Sequence, residues 1–88
     1  MKACVLLDAD GRLVAADAGH GSEGEALAEL ARELLERAGT PQAEVATGAG
    51  IVYALRAGGW TLAVVAGRFA LSSLVFFDMR KALEGLTA

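Results

Sequence analysis

Trp60–Ala66 is an apolar run in which Thr61 alone is polar, with Gly58-Gly59 before it and Gly67 after it. So short and so continuous an apolar run reads as a strand covered on both faces. A sheet built around such a strand needs a layer of structure on each side. The chain has two further segments of helical period, so each helix is expected to cover one face. Ala3–Leu7 shares the character of Trp60–Ala66, and the two are expected side by side at the sheet centre.

The remaining elements follow from changes of period. Ala3–Asp8 and Leu13–Asp17 read as strands joined by Ala9-Asp10-Gly11-Arg12. Asp-Gly between apolar runs predicts a type I′ hairpin, with positive φ at both central residues. Leu27, Leu30, Ala31, Leu34, Leu35 and Ala38 then keep the spacing of one helix face. Ser22 with Glu25 fits a capping box, and Gly39 with Pro41 forms a stop, so the helix is bounded by Ser22 and Gly39. Glu44–Gly48, Ile51–Arg56 and Trp60–Ala66 form a meander, turning at Gly48-Ala49-Gly50 and Gly58-Gly59. Glu44–Gly48 is short and polar, as suits an edge strand. Phe69–Leu86 carries Leu71, Leu74, Val75, Met79, Ala82, Leu83 and Leu86 at helical spacing, with Phe76 and Phe77 partly off the stripe. The order ββαβββα predicts an α+β fold: one domain over residues 1–88, with a five-stranded, largely antiparallel sheet and a helix on each face.

Composition narrows the function classes. With 88 residues there is room for one core, yet 55% of the chain is apolar. That excess over what a small core can bury points to a subunit interface. Eight basic residues stand against eleven acidic ones, and the basic ones are scattered. No nucleic-acid partner is expected, since phosphate contacts need clustered Lys and Arg. No apolar stretch is long enough for a signal peptide or a bilayer span, so a soluble, cytoplasmic protein without membrane insertion is expected. The lone Cys4 makes no internal disulfide and reads as a small core side chain.

Three motifs suggest chemistry and carry little of it. Gly19-His20-Gly21-Ser22-Glu23-Gly24 matches the dinucleotide fingerprint, in which glycines let the backbone approach a pyrophosphate at a helix N-terminus. The strand before it closes a hairpin rather than opening a βαβ crossover. Glu44, about 20 residues on, would begin a strand rather than end one. A small-molecule or nucleotide-sensing domain using loop 19–24 is therefore the alternative reading. Asp8-Ala9-Asp10-Gly11 has its glycine too early for an EF-hand loop and no late acid. His20, the only histidine, lies in a glycine-rich loop with nothing rigid to fix a nucleophile beside it. No catalytic residue, metal or cofactor is assigned, and the chain is not expected to be an enzyme. Arg68 could reach a phosphate, but a solvated or paired arginine near a helix start accounts for it better.

Surfaces offer more. The polar side of the first helix is a mixed-charge strip, Glu25, Glu29, Arg32, Glu33, Glu36 and Arg37, available to a partner. If Glu44–Gly48 pairs with its twin across a two-fold axis, its free backbone groups are hidden and two copies of that helix come together. Ala28, on the flank of the leucine stripe, would then permit close approach. Phe76 and Phe77 are either core or an aromatic anchor for a further contact.

In order and texture the chain resembles the Roadblock family of dynein light-chain and small-GTPase-regulator domains, with their profilin-like or longin-like sheet. The residues that carry the likeness are Val5-Leu6-Leu7-Asp8-Ala9-Asp10-Gly11-Arg12-Leu13-Val14-Ala15, the Leu-rich helix, Glu44 to Gly50, Ile51–Arg56, Leu62–Ala66 and the final Arg80-Lys81-Ala82-Leu83-Glu84. The resemblance implies a non-enzymatic homodimer, or a heterodimer with a paralogue, that binds a Ras-like small GTPase. It also implies a dimer contact through the first helix and the edge strand, here Ala28, Leu35, Glu44, Val45, Ala46 and Thr47. The strip Glu25, Glu29, Arg32, Glu33 and Glu36 would meet the GTPase. Some members carry an extra N-terminal helix; without one, the second sheet face has only the last helix for cover, which leaves Phe76 and Phe77 for a further contact.

Overall fold

A computed structural model of the chain describes residues 3–17, 23–48 and 50–87. Its elements are β1 (Ala3–Leu7), β2 (Leu13–Asp17), α1 (Glu23–Ala38), β3 (Gln42–Thr47), β4 (Gly50–Ala57), β5 (Trp60–Ala66) and α2 (Ser72–Thr87). The strands form one sheet in the order β2-β1-β5-β4-β3, and every neighbouring pair is antiparallel. β5 lies at the centre beside β1, as the unbroken apolar run requires, and β3 is an edge.

Alternation of side chains divides the interior in two. Val5, Leu7, Val52, Ala54, Ala63 and Val65 point to one face, where Leu27, Ala28, Ala31 and Leu35 of α1 cover them. Tyr53, Leu55, Leu62, Val64 and Ala66 point to the other, beneath Phe76, Met79 and Leu83 of α2. Each large aliphatic side chain buried this way contributes about 1.5–3 kcal/mol. Tyr53 is wholly enclosed; its ring meets Phe76 edge-to-face at 5.3 Å between centroids. Phe76 is thus core and offers nothing to a partner, which corrects one of the two aromatic expectations.

Local structure departs from the expected elements in three places. The first hairpin is not type I′: Gly11 has φ 79°, but Asp10 does not adopt positive φ. Instead Asp8 Oδ1 accepts the N–H groups of Asp10 (2.9 Å) and Arg12 (3.0 Å), and Gly11 N–H donates to the Asp8 carbonyl. That is a type I turn closed by a left-handed glycine, and the ladder shifts register between Leu6 and Leu7. Gly58 and Gly59, with φ 60° and 82°, do form the primed turn. β3 begins at Gln42 rather than Glu44, because the Pro41 carbonyl already accepts from Arg56 N–H at 2.7 Å. α2 begins at Ser72 rather than Phe69; Gly67 to Ala70 is a turn, and Phe69 is 99% exposed.

Arg32 ties α1 to the first hairpin, its Nε donating to the Gly11 carbonyl at 2.8 Å. Arg32→Ala is expected to cost about 1–2 kcal/mol, the net worth of a charged hydrogen bond in a partly buried site. Thermal unfolding should show Tm lower by roughly 5–10 °C. An unchanged midpoint would mean that the contact contributes nothing to the fold.

Candidate partner-binding surfaces

The open edge of β3 has a definite chemistry. Opposite residues of β3 and β4 have numbers summing to a constant, Gln42 facing Leu55 and Thr47 facing Gly50. The bond from Arg56 to Pro41 fixes which alternate residues exchange ladder bonds. Pro41, Ala43, Val45 and Thr47 turn their backbone groups toward β4. Gln42, Glu44 and Ala46 turn theirs outward, past the last strand. One outward group is taken locally, the Gln42 carbonyl accepting from Thr40 Oγ1 at 2.7 Å. The side chains alternate in step with these groups, so Ala43 and Val45 pack with the α1 face while Gln42, Glu44 and Ala46 lie on the α2 face.

α2 braces this edge from beneath. Ser72 Oγ donates to Glu44 Oε2 at 2.9 Å and approaches the Tyr53 hydroxyl at 3.4 Å, while Arg80 Nη2 donates to Gln42 Oε1. Sequence reasoning missed both braces. Their partners are 28 and 38 residues apart in the chain, and no local pattern links them.

Two of the residues expected at a dimer contact are not surface residues. Ala28 is 0% and Leu35 2% exposed, both packed into the α1 side of the core. They lie at the middle of the helix's buried face, so they have no side to offer a second molecule. Glu44 and Ala46 are exposed, Val45 is half-buried, and Thr47 is half-buried with its Oγ1 donating to the Gly50 carbonyl. On α1, Glu25, Glu29, Glu33 and Glu36 are exposed; Glu33 pairs with Arg37 at 2.8 Å. Arg32, expected among them, is half-buried and held at Gly11. Leu30, assigned to the core stripe by its spacing, is in fact 36% exposed beside the acidic strip. Phe77 is 56% exposed, with Lys81 Nζ 5.6 Å from its ring centroid.

Gly19 to Ser22, with His20 and the capping serine, lies outside the described residues, so the nucleotide alternative gains no geometry. Gly24 is buried against β2; a Cβ there would lie 3.1 Å from that of Ala16, so its role is close helix–sheet packing. The Asp8 carboxylate is occupied by its own turn, and Arg68 is exposed between β5 and α2. Cys4 is half-buried; its thiol is pushed above its ordinary value by burial and, secondarily, by the Asp17 carboxylate opposite it. Among the described residues, no helix is long and apolar enough to cross a membrane.

No family model matches the sequence, and no curated protein matches it. Solved structures do. A Roadblock/LC7 domain from Streptomyces avermitilis superposes with a TM-score of 0.81 at 22% identity, over 98% of this chain and 82% of that one. Another Roadblock/LC7 domain structure from that organism gives 0.75 at 27% identity, over 94% and 80%. MglB of Myxococcus xanthus gives 0.72 at 20% identity, over 98% and 80%. The resemblance read from the hairpin, helices and edge strand therefore holds in three dimensions: the chain has the Roadblock/LC7 fold.

Proposed function

We propose that this chain is a non-enzymatic, dimeric interaction module that binds a Ras-like small GTPase and regulates or scaffolds it. The observation that carries the reading is the edge of β3. Its outward amides and carbonyls at Glu44 and Ala46 lie beside a helix whose exposed side is acidic. An uncovered edge of this kind is a template for pairing with a second copy. The register that suits it centres on Val45. Glu44 then faces Ala46 of the second copy, and the two Val45 side chains meet on the α1 face. A register centred on Glu44 would set two carboxylates directly opposite each other, which is unfavourable. The likeness to Roadblock/LC7 domains supports the reading, as does the resemblance in sequence that implies GTPase binding.

In such a dimer Glu25, Glu29 and Glu36 form the partner surface, and the GTPase meets them with a basic one. The test is capture from native cytosol by the immobilised chain, which should recover a Ras-like GTPase; repeated failure would defeat this reading. With that GTPase in hand, the double variant E29K/E36K should weaken binding about tenfold or more, chiefly through slower association and loss of salt dependence. Its sedimentation should stay that of the parent. Unchanged affinity would move the partner surface off α1.

A further inference from the structure

The two helices cover their faces unequally. α1 packs across all five strands, whereas α2 packs on β4 and β5 and reaches β3 through Ser72 and Arg80, which leaves β1 and β2 with no helix against them on that face. Those two strands span ~10 Å, about the width of one helix with its side chains. In that place, beside α2, runs a groove of about 390 Å³, lined by Cys4, Leu62 and Val64 of the sheet and Val75, Met79 and Ala82 of α2. Its rims carry acid. Asp78 stands on the α2 wall, and Asp17 lies on β2 opposite Cys4 in the register. Neither carboxylate is in an ion pair among the described residues.

We propose that this groove seats an amphipathic helix of a partner protein, its narrow apolar stripe on the Cys4–Val64 floor and its basic flanks against Asp17 and Asp78. Width selects a helix over an extended strand. Charge selects a basic partner over a second copy of this chain, whose α1 would bring Glu25, Glu29, Glu33 and Glu36 against two further carboxylates. The proposal does not depend on the GTPase reading, since the groove is on the opposite face from α1.

Cys4 is the only thiol and lies on the groove floor, so its alkylation reports occupancy directly. Two synthetic helices of about 18 residues serve as probes, with the same Leu/Ala stripe at i, i+3, i+4 and i+7 but flanked by Lys in one and by Glu in the other. At one fixed alkaline pH, and relative to the same protein without peptide, the Lys-flanked peptide should slow N-ethylmaleimide modification of Cys4 roughly tenfold, and the Glu-flanked peptide should leave it unchanged. The double variant D17N/D78N should lose the distinction between them. Ala82→Trp, which fills the groove from an exposed helix position, should abolish protection while circular dichroism stays native. Equal protection by both peptides, or by neither, overturns the proposal. So does protection that grows with protein concentration alone, which would make the occupant a second copy, or protection by anionic lipid vesicles without peptide.

Discussion

Ala46→Pro should convert the proposed dimer to a monomer without unfolding it. The N–H of Ala46 faces away from β4, so proline there removes no bond of the β3–β4 ladder. Edge strands tolerate proline at such positions. In a two-fold dimer paired through β3 the substitution acts twice. Each copy loses one intermolecular hydrogen bond, worth about 1 kcal/mol, and places a ring where the partner's carbonyl should approach. The combined loss is about 3–4 kcal/mol, a weakening of roughly 10²–10³ in Kd. Sedimentation at micromolar concentration should show a dimer for the parent and a monomer for the variant. Val45→Pro is the control, one residue away and of opposite parity. Its N–H serves the ladder to Val52, so β3 should detach and the fold lose about 3 kcal/mol or more. If Ala46→Pro and the parent sediment alike, β3 is not the contact and the proposed module has to be built on another surface.

How much of this was legible beforehand depends on the range of the interaction concerned. The central strand, the hairpins and the edge position of β3 follow from period and turn residues, which are local. The turn at Asp10-Gly11 differs from the type I′ expectation because Asp8 supplies a side-chain acceptor for two N–H groups, which relieves Asp10 of the left-handed conformation. An aspartate in the first position of a four-residue turn is itself a type I signal, so this feature is legible in the sequence. The helix faces were harder. Phe76 and Phe77 differ in phase by one residue, and only the docking of α2 on Tyr53 decides which is buried. Leu35 belonged to the apolar stripe that seats α1, and a residue at the centre of that stripe cannot also face a dimer partner. The braces from Ser72 to Glu44 and from Arg80 to Gln42 have no sequence signature, because a contact between a helix and an edge strand formed long before it in the chain depends on the whole topology. The helix-wide uncovered strip is of the same kind: it comes from where α2 lies across the sheet.

Gly50→Ala should be strongly destabilising for a change of a single methyl group. Gly50 opens β4 with φ 139°, where L side chains are strained, and a Cβ built there collides with the backbone carbonyl oxygen of Ala66 on the neighbouring strand. That carbonyl cannot turn aside as a flexible side chain could, since Ala66 is held in register against Ile51 at the end of the central strand. Backbone strain costs about 1–3 kcal/mol, and overpacking against an immobile neighbour adds about 1–3 more. A sum near 3–5 kcal/mol is a large share of the roughly 4–13 kcal/mol available to a domain of 88 residues. Thermal unfolding should show Tm falling by about 12–30 °C. Gly48, two residues earlier in the same turn, has no atom within 4 Å of an added Cβ and no positive φ. Gly48→Ala should therefore stay within about 0.5 kcal/mol of the parent. Equal effects at the two positions would mean that β4 does not approach β5 as closely at Ala66 as this architecture requires. The ladder that sets the outward groups of β3 would then need to be redrawn, because β3 takes its register from β4.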